Sequence, residues 1–202
     1  AMRYGVEAVG YLGISNRLTG MLVSASNGVQ EGISVIIARY RQTDEILIAK
    51  CIKYSIGLNI LIPIICATFY IINFEPIMLY FADGNLAVAS MIGTIFTWEL
   101  SGGVLNPSTN FMNGILYGYE QTKLVFIISF YRIIIFRNVI LFILSQLGMG
   151  YQSLGIVMFI SHVATFIISC IIMYILFGKN KKYIGNQDKP KQKIVHIIKY
   201  TF

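Results

Sequence analysis

Charge is what this sequence has least of. Only 12% of its residues are charged, against 56% hydrophobic, and the mean hydropathy is +0.69. A soluble domain usually carries about 25% charged residues, because its surface must be wetted. Too few charges are present to coat a globule of 202 residues, so much of the outer surface must face something other than water. Cysteine is also scarce. Cys51, Cys66 and Cys170 are odd in number and widely spaced, which argues against a disulfide framework or a zinc site and leaves them as small packing residues. The N-terminus, Ala1-Met2-Arg3-Tyr4-Gly5-Val6-Glu7, lacks an apolar core behind a basic start, so no cleavable signal peptide is read there. His-Glu-x-x-His, paired Asp and Gly-x-Ser-x-Gly are all missing, so no enzyme, catalytic residue or metal site is expected. No nucleic-acid-binding motif is found either, despite a net charge of +7. The alternating segments of about ten residues that would build a transmembrane barrel are lacking, and so are the polar stripes of a soluble bundle.

What is present is a series of long apolar runs. Five candidate spans fall at about 15–38, 46–72, 86–116, 124–147 and 154–177. Each is near the roughly 20 residues that about 30 Å of hydrocarbon demands. The first is semi-polar, and the second is followed by a turn at Asn73-Phe74-Glu75-Pro76. The third is interrupted by Gly102-Gly103 and by Asn106-Pro107, where the proline predicts a kink. The expected fold is an all-α membrane protein, with a transmembrane lobe over 1–177 and a basic tail over 178–202.

Lys and Arg fix the orientation. Arg39, Arg41, Lys50 and Lys53 follow the first span, and the loop around Glu75 and Asp83 has no base. Lys123 precedes the fourth span, Gln146–Gln152 has none, and Lys179, Lys181, Lys182, Lys189, Lys191, Lys193 and Lys199 crowd the tail. This alternation predicts a cytoplasmic C-terminus in a multi-pass protein of the plasma (inner) membrane. The tail is expected to meet anionic lipid or to be disordered. Five spans then put the N-terminus outside, which predicts a further helix upstream. A start at Ala1 rather than Met points to a fragment as well.

Polar residues inside the spans carry the functional expectation, because each charge there costs about 3 kcal/mol or more and tends to face an interior or a wet cavity. In the first span Gly20, Ser24, Asn27, Glu31, Ser34 and Ala38 recur at steps of three or four, which is one helical face. Glu31 falls about 12 Å above the cytoplasmic end. The third span repeats the pattern with Glu99, Gly102 or Gly103, Asn106, Asn110 and Asn113. Asn27, Glu31, Ser34, Glu99, Asn106 and Asn110 are therefore the candidate cation-coupling or substrate-cavity residues, with helix packing as the alternative reading. Arg132 and Arg137 lie about 13 and 21 Å into the fourth span. By depth alone Arg132 could meet Glu31 and Arg137 could meet Glu99, either as register-fixing ion pairs or as transport groups. His162 reads as a hydrogen-bonded packing residue.

Several segments resemble one lobe of a MATE (multidrug and toxic compound extrusion) transporter. They are Tyr4-Gly5-Val6-Glu7-Ala8-Val9, Gly13-Ile14-Ser15-Asn16-Arg17, Asn27-Gly28-Val29-Gln30-Glu31-Gly32-Ile33, Phe111-Met112-Asn113-Gly114-Ile115-Leu116-Tyr117-Gly118, Arg132-Ile133-Ile134-Ile135-Phe136 and Leu154-Gly155-Ile156. The resemblance covers about residues 4–177 and departs from the family at Ala38-Arg39-Tyr40-Arg41, where a Gly-Ala pair is usual. It implies five of the six helices of a lobe, the C-terminal one by its basic tail, with the N-terminal lobe as a missing partner. It also implies export of small organic, often cationic, compounds by proton- or sodium-coupled antiport with alternating access. The coupling ion is H+ or Na+ and no other cofactor is expected; lipid is the remaining partner. A lipid-linked saccharide flippase of the same superfamily and a non-transporting helical membrane protein are the rival readings.

Overall fold

The computed structural model describes residues 5–179. Eight α-helices follow one another: α1 (Gly5–Tyr40), α2 (Glu45–Ile72), α3 (Phe74–Phe81), α4 (Leu86–Gly103), α5 (Asn106–Gly118), α6 (Thr122–Phe130), α7 (Ile140–Gln146) and α8 (Gln152–Met173). A π-helical segment, Tyr131–Val139, joins α6 to α7, and a second, Tyr174–Lys179, extends α8. No strand occurs among the described residues. The protein is an all-α membrane protein. Ile46–Ile72, Thr122–Gln146 and Gln152–Leu176 are each long and apolar enough to cross a bilayer. Two bent pairs, Glu7–Met21 with Ser26–Tyr40 and Phe74–Phe81 with Leu86–Gly103, raise the number to five if each is one crossing. Most of the basic tail expected over 178–202 lies outside the described residues.

Three boundaries differ from expectation. Helix α1 starts at Gly5 rather than near 15, because Gly10 and Gly13 dilute the apolar signal without breaking a helix. Asn73-Phe74-Glu75-Pro76 is the start of a helix as well as a turn: Asn73 ends α2 through its N–H to Phe69, and α3 begins at once. Pro76 is tolerated because first-turn residues need no N–H donor. The segment expected as one kinked span over 86–116 is two helices. In a continuous helix Pro107 would meet the carbonyl of Gly103 with a ring instead of a donor. Helix α4 therefore stops at Gly103, and Leu105 N–H falls back to the Gly102 carbonyl at 3.0 Å.

Glycines bring the helices into contact. A Cβ on Gly114 would lie 2.6 Å from the Gln30 carbonyl oxygen, and one on Gly118 2.6 Å from Ile37 Cβ, so α5 presses directly onto α1. Helices α4 and α8 meet reciprocally. A Cβ on Gly155 would come 2.9 Å from Trp98 Cβ, and one on Gly102 2.8 Å from Phe159 Cα. Ile33, Ile37, Ile48, Ile52, Phe111 and Leu116 form one buried cluster; Leu18, Tyr70, Met78, Ile92 and Phe96 form another. Leu58, Leu61, Ile65, Phe69 and Ile72 of α2 stay exposed, as do Phe126, Phe130, Ile133 and Phe142. So large an apolar surface suits lipid as the solvent.

Candidate functional site

The α4–α8 contact and the α1–α4 contact together fix one buried carboxyl. Ser15 and Thr19 lie one turn apart on α1, so their side chains share a face, and that face meets α4 at Glu99. The Thr19 hydroxyl donates to Glu99 Oε1 at 2.8 Å, and the Ser15 hydroxyl donates to Glu99 Oε2. Exposure is 3% for Glu99, 0% for Ser15 and 6% for Thr19. A carboxyl this deep needs partners for both oxygens, and here each has one. Thr19 Oγ1 is also 3.1 Å from the Ser15 carbonyl oxygen. Having one proton, it donates either to the carboxylate or to its own helix.

A second polar contact joins α1 to α5. Asn110 Nδ2 donates to Asn27 Oδ1 at 2.9 Å, and Asn110 is buried while Asn27 is exposed. Asn106 is buried with its Oδ1 unpartnered, as is Asn113 Oδ1. Ser34 is half-buried where α1 meets Gly118.

The structure brings Glu99, Asn106 and Asn110 inside and leaves Glu31 exposed on α1, on the side away from the buried Ile33 and Ile37. Neither expected ion pair forms: among the described residues, Arg41–Glu120 at 2.5 Å is the ion pair within 4.0 Å. Depth along a helix does not fix direction around it, and Glu31 and Arg132 share only depth. Arg137 does act electrostatically on Glu99, but from beyond contact, and the hydroxyls of Ser15 and Thr19 take the place expected of it. Ser15 and Thr19 lie within the expected span 15–38, but on a face beside the polar row that begins at Gly20, and that row does not include them. Their spacing, matched to a lone buried acid in a later helix, is the signal that could have found them.

Arg132 and Arg137 both lie in the π-helical segment, half-buried, and both act electrostatically on His162 of α8. His162 is 5% exposed, with its Cβ in the α4–α8 contact at Gly102. No hydrogen bond to its ring occurs among the described residues, so the expected hydrogen-bonded packing role is only half met.

A bundle with apolar outer faces, a helix broken at Asn106-Pro107 and one doubly hydrogen-bonded interior carboxyl has the organisation of a transport lobe. The MatE family model matches residues 1–144. The chain belongs to the MatE family. It is thus a membrane transporter chain of the MATE type, and the matched region runs from α1 into α7, taking in Ser15, Thr19, Glu99, Arg132 and Arg137. Helix α8, with His162, lies beyond it. No curated protein and no solved structure matches the chain.

Proposed function

We propose that this MATE-type chain belongs to an alternating-access antiporter in which Glu99 takes up and releases the coupling cation, a proton or sodium ion, in exchange for small organic compounds. The observation that carries the reading is the Ser15–Glu99–Thr19 arrangement. An ionised Glu99 accepts from both hydroxyls. A protonated Glu99 donates to one hydroxyl oxygen, while Thr19 turns its proton to the Ser15 carbonyl. Both states keep their hydrogen bonds, so a proton can come and go without stranding a buried group. The same four side-chain oxygens, two from the carboxylate and two from the hydroxyls, offer hard ligands to a sodium ion. Because the oxygens belong to two helices, movement of α1 against α4 would pull the set apart and release the ion.

Exposed Glu31 and Asn27, one turn apart on α1, suit a cationic organic substrate. The remaining partners in this reading are lipid and the transporter's other lobe, in the plasma membrane with the basic tail in the cytoplasm. The test is Glu99→Gln in the intact transporter, reconstituted in liposomes. The amide keeps shape and hydrogen bonding but exchanges no proton and supplies no charge. Substrate should still bind while ion-driven efflux is lost; efflux at the wild-type rate would overturn the proposal. A lipid-linked saccharide flippase remains the second reading, favoured by the interior Arg132 and Arg137. Translocation of a lipid-linked saccharide unaffected by Glu99→Gln would support it instead.

A further inference from the structure

We infer that Arg132, Arg137 and His162 form an oxyanion-binding site inside the bundle, which takes the carboxylate or phosphate group of a transported small molecule.

In an α-helix, with 3.6 residues per turn, positions five apart point to different faces. Residues 131–139 are π-helical, and a π-helix closes its hydrogen bonds over five residues, so Arg132 and Arg137 stand one turn apart on a common side. Ile133, Ile134, Ile135 and Val139 are exposed, while both arginines are half-buried. The π-helical segment packs against α8, and both guanidiniums act on His162 there and on one another.

These three side chains also lack partners of their own. None of the three side chains makes a hydrogen bond or an ion pair within 4.0 Å among the described residues, and Arg137 Nε is fully buried without a partner. The acid that reaches Arg137 electrostatically, Glu99, has its oxygens held by Ser15 and Thr19. Two guanidiniums against one engaged carboxylate leave positive charge and planar donor forks unused. A fork of N–H groups matches the paired oxygens of a carboxylate or phosphate, which a spherical halide does not exploit.

The inference rests on the transporter reading only for its substrate clause, since binding can be measured without a gradient. The intact transporter in lipid nanodiscs is titrated separately with citrate and with inorganic phosphate, ionic strength being held constant with sodium chloride, while thermal unfolding is followed. At least one anion should raise the Tm saturably above the chloride control. Citrate alone would identify an organic acid, and phosphate alone a phosphorylated group. Arg132→Gln and Arg137→Gln should each weaken that binding by about tenfold or more, and Arg17→Gln, on the exposed side of α1, should leave it unchanged. If the glutamine variants do not accumulate, Arg132→Lys and Arg137→Lys, which keep the charge but lose the fork, should still weaken it. No saturable effect of either anion, or unaltered affinity in the arginine variants, would overturn the site. Glu99→Gln separates the two proposals, because it should abolish coupled efflux and leave anion binding in place.

Discussion

Thr19 and Glu99 are 80 positions apart in the chain, and their side-chain oxygens are 2.8 Å apart in the structure. This contact, with its companion from Ser15, ties α1 to α4. It also makes the hydroxyl pair, rather than an arginine, the immediate environment of the buried acid.

Removing the Thr19 hydroxyl should therefore be felt at Glu99. Thr19→Val keeps the shape and deletes the donor, which should destabilise the protein by about 1–3 kcal/mol. The decisive measurement is a double-mutant cycle with Glu99→Gln, read by unfolding in detergent. Two groups in contact should give non-additive effects, and strict additivity would mean that they do not interact.

The glycines divide into two classes that substitution should separate. Gly114 has the Gln30 carbonyl within 2.6 Å of a would-be Cβ, whereas Gly28 has nothing within 4 Å. Gly114→Ala must push α5 off α1 and should destabilise by about 1–3 kcal/mol. Gly28→Ala should be neutral or stabilise α1 by up to about 1 kcal/mol, through helix propensity alone. Accumulation and Tm of the two variants would reveal the contrast, and equal behaviour would contradict the α1–α5 packing.

Glu31 offers a sharper test, because sequence and structure predict different results. As the partner of Arg132, its neutralisation would strand a buried guanidinium at about 3–5 kcal/mol. Exposed and unpaired, Glu31→Gln should accumulate like the wild type, and Arg132→Gln in the same chain should bring no rescue. Expression level and Tm of the single and double variants decide.

Arg41 and Glu120 connect the α1–α2 loop to the α5–α6 loop, so the two loops lie at one end of the bundle. Glu120 is 73% exposed, and Glu120→Gln should cost less than about 1 kcal/mol, as surface pairs generally do. In the predicted orientation, cysteine at Gln42 or Gln121 is shielded from impermeant thiol reagent in intact cells and cysteine at Asp83 is labelled. The reverse pattern would invert the topology.

Sequence by itself determined the class and most of the helices. Lipid sets both composition and length: 12% charge and runs near 20 residues are one-dimensional properties, and α2, Thr122–Gln146 and Gln152–Leu176 follow from them almost to the residue. Pro107 marked the break in the third span for an equally local reason. Tertiary structure decided everything that depends on direction around a helix axis. Ser15 and Thr19 meet Glu99 because Gly102 and Gly155 let α8 lock α4 in place while α1 packs on α4, and no single segment carries that information. Glu31 and Arg132, matched in depth, face different surroundings. The π-helical turn that aligns Arg132 with Arg137 is likewise invisible in Tyr131-Arg132-Ile133-Ile134-Ile135-Phe136-Arg137, where the α-helical period sends the two arginines apart. Burial, hydrophobicity and length are summed along the chain; a polar site is assembled from azimuths, and only packed helices have those.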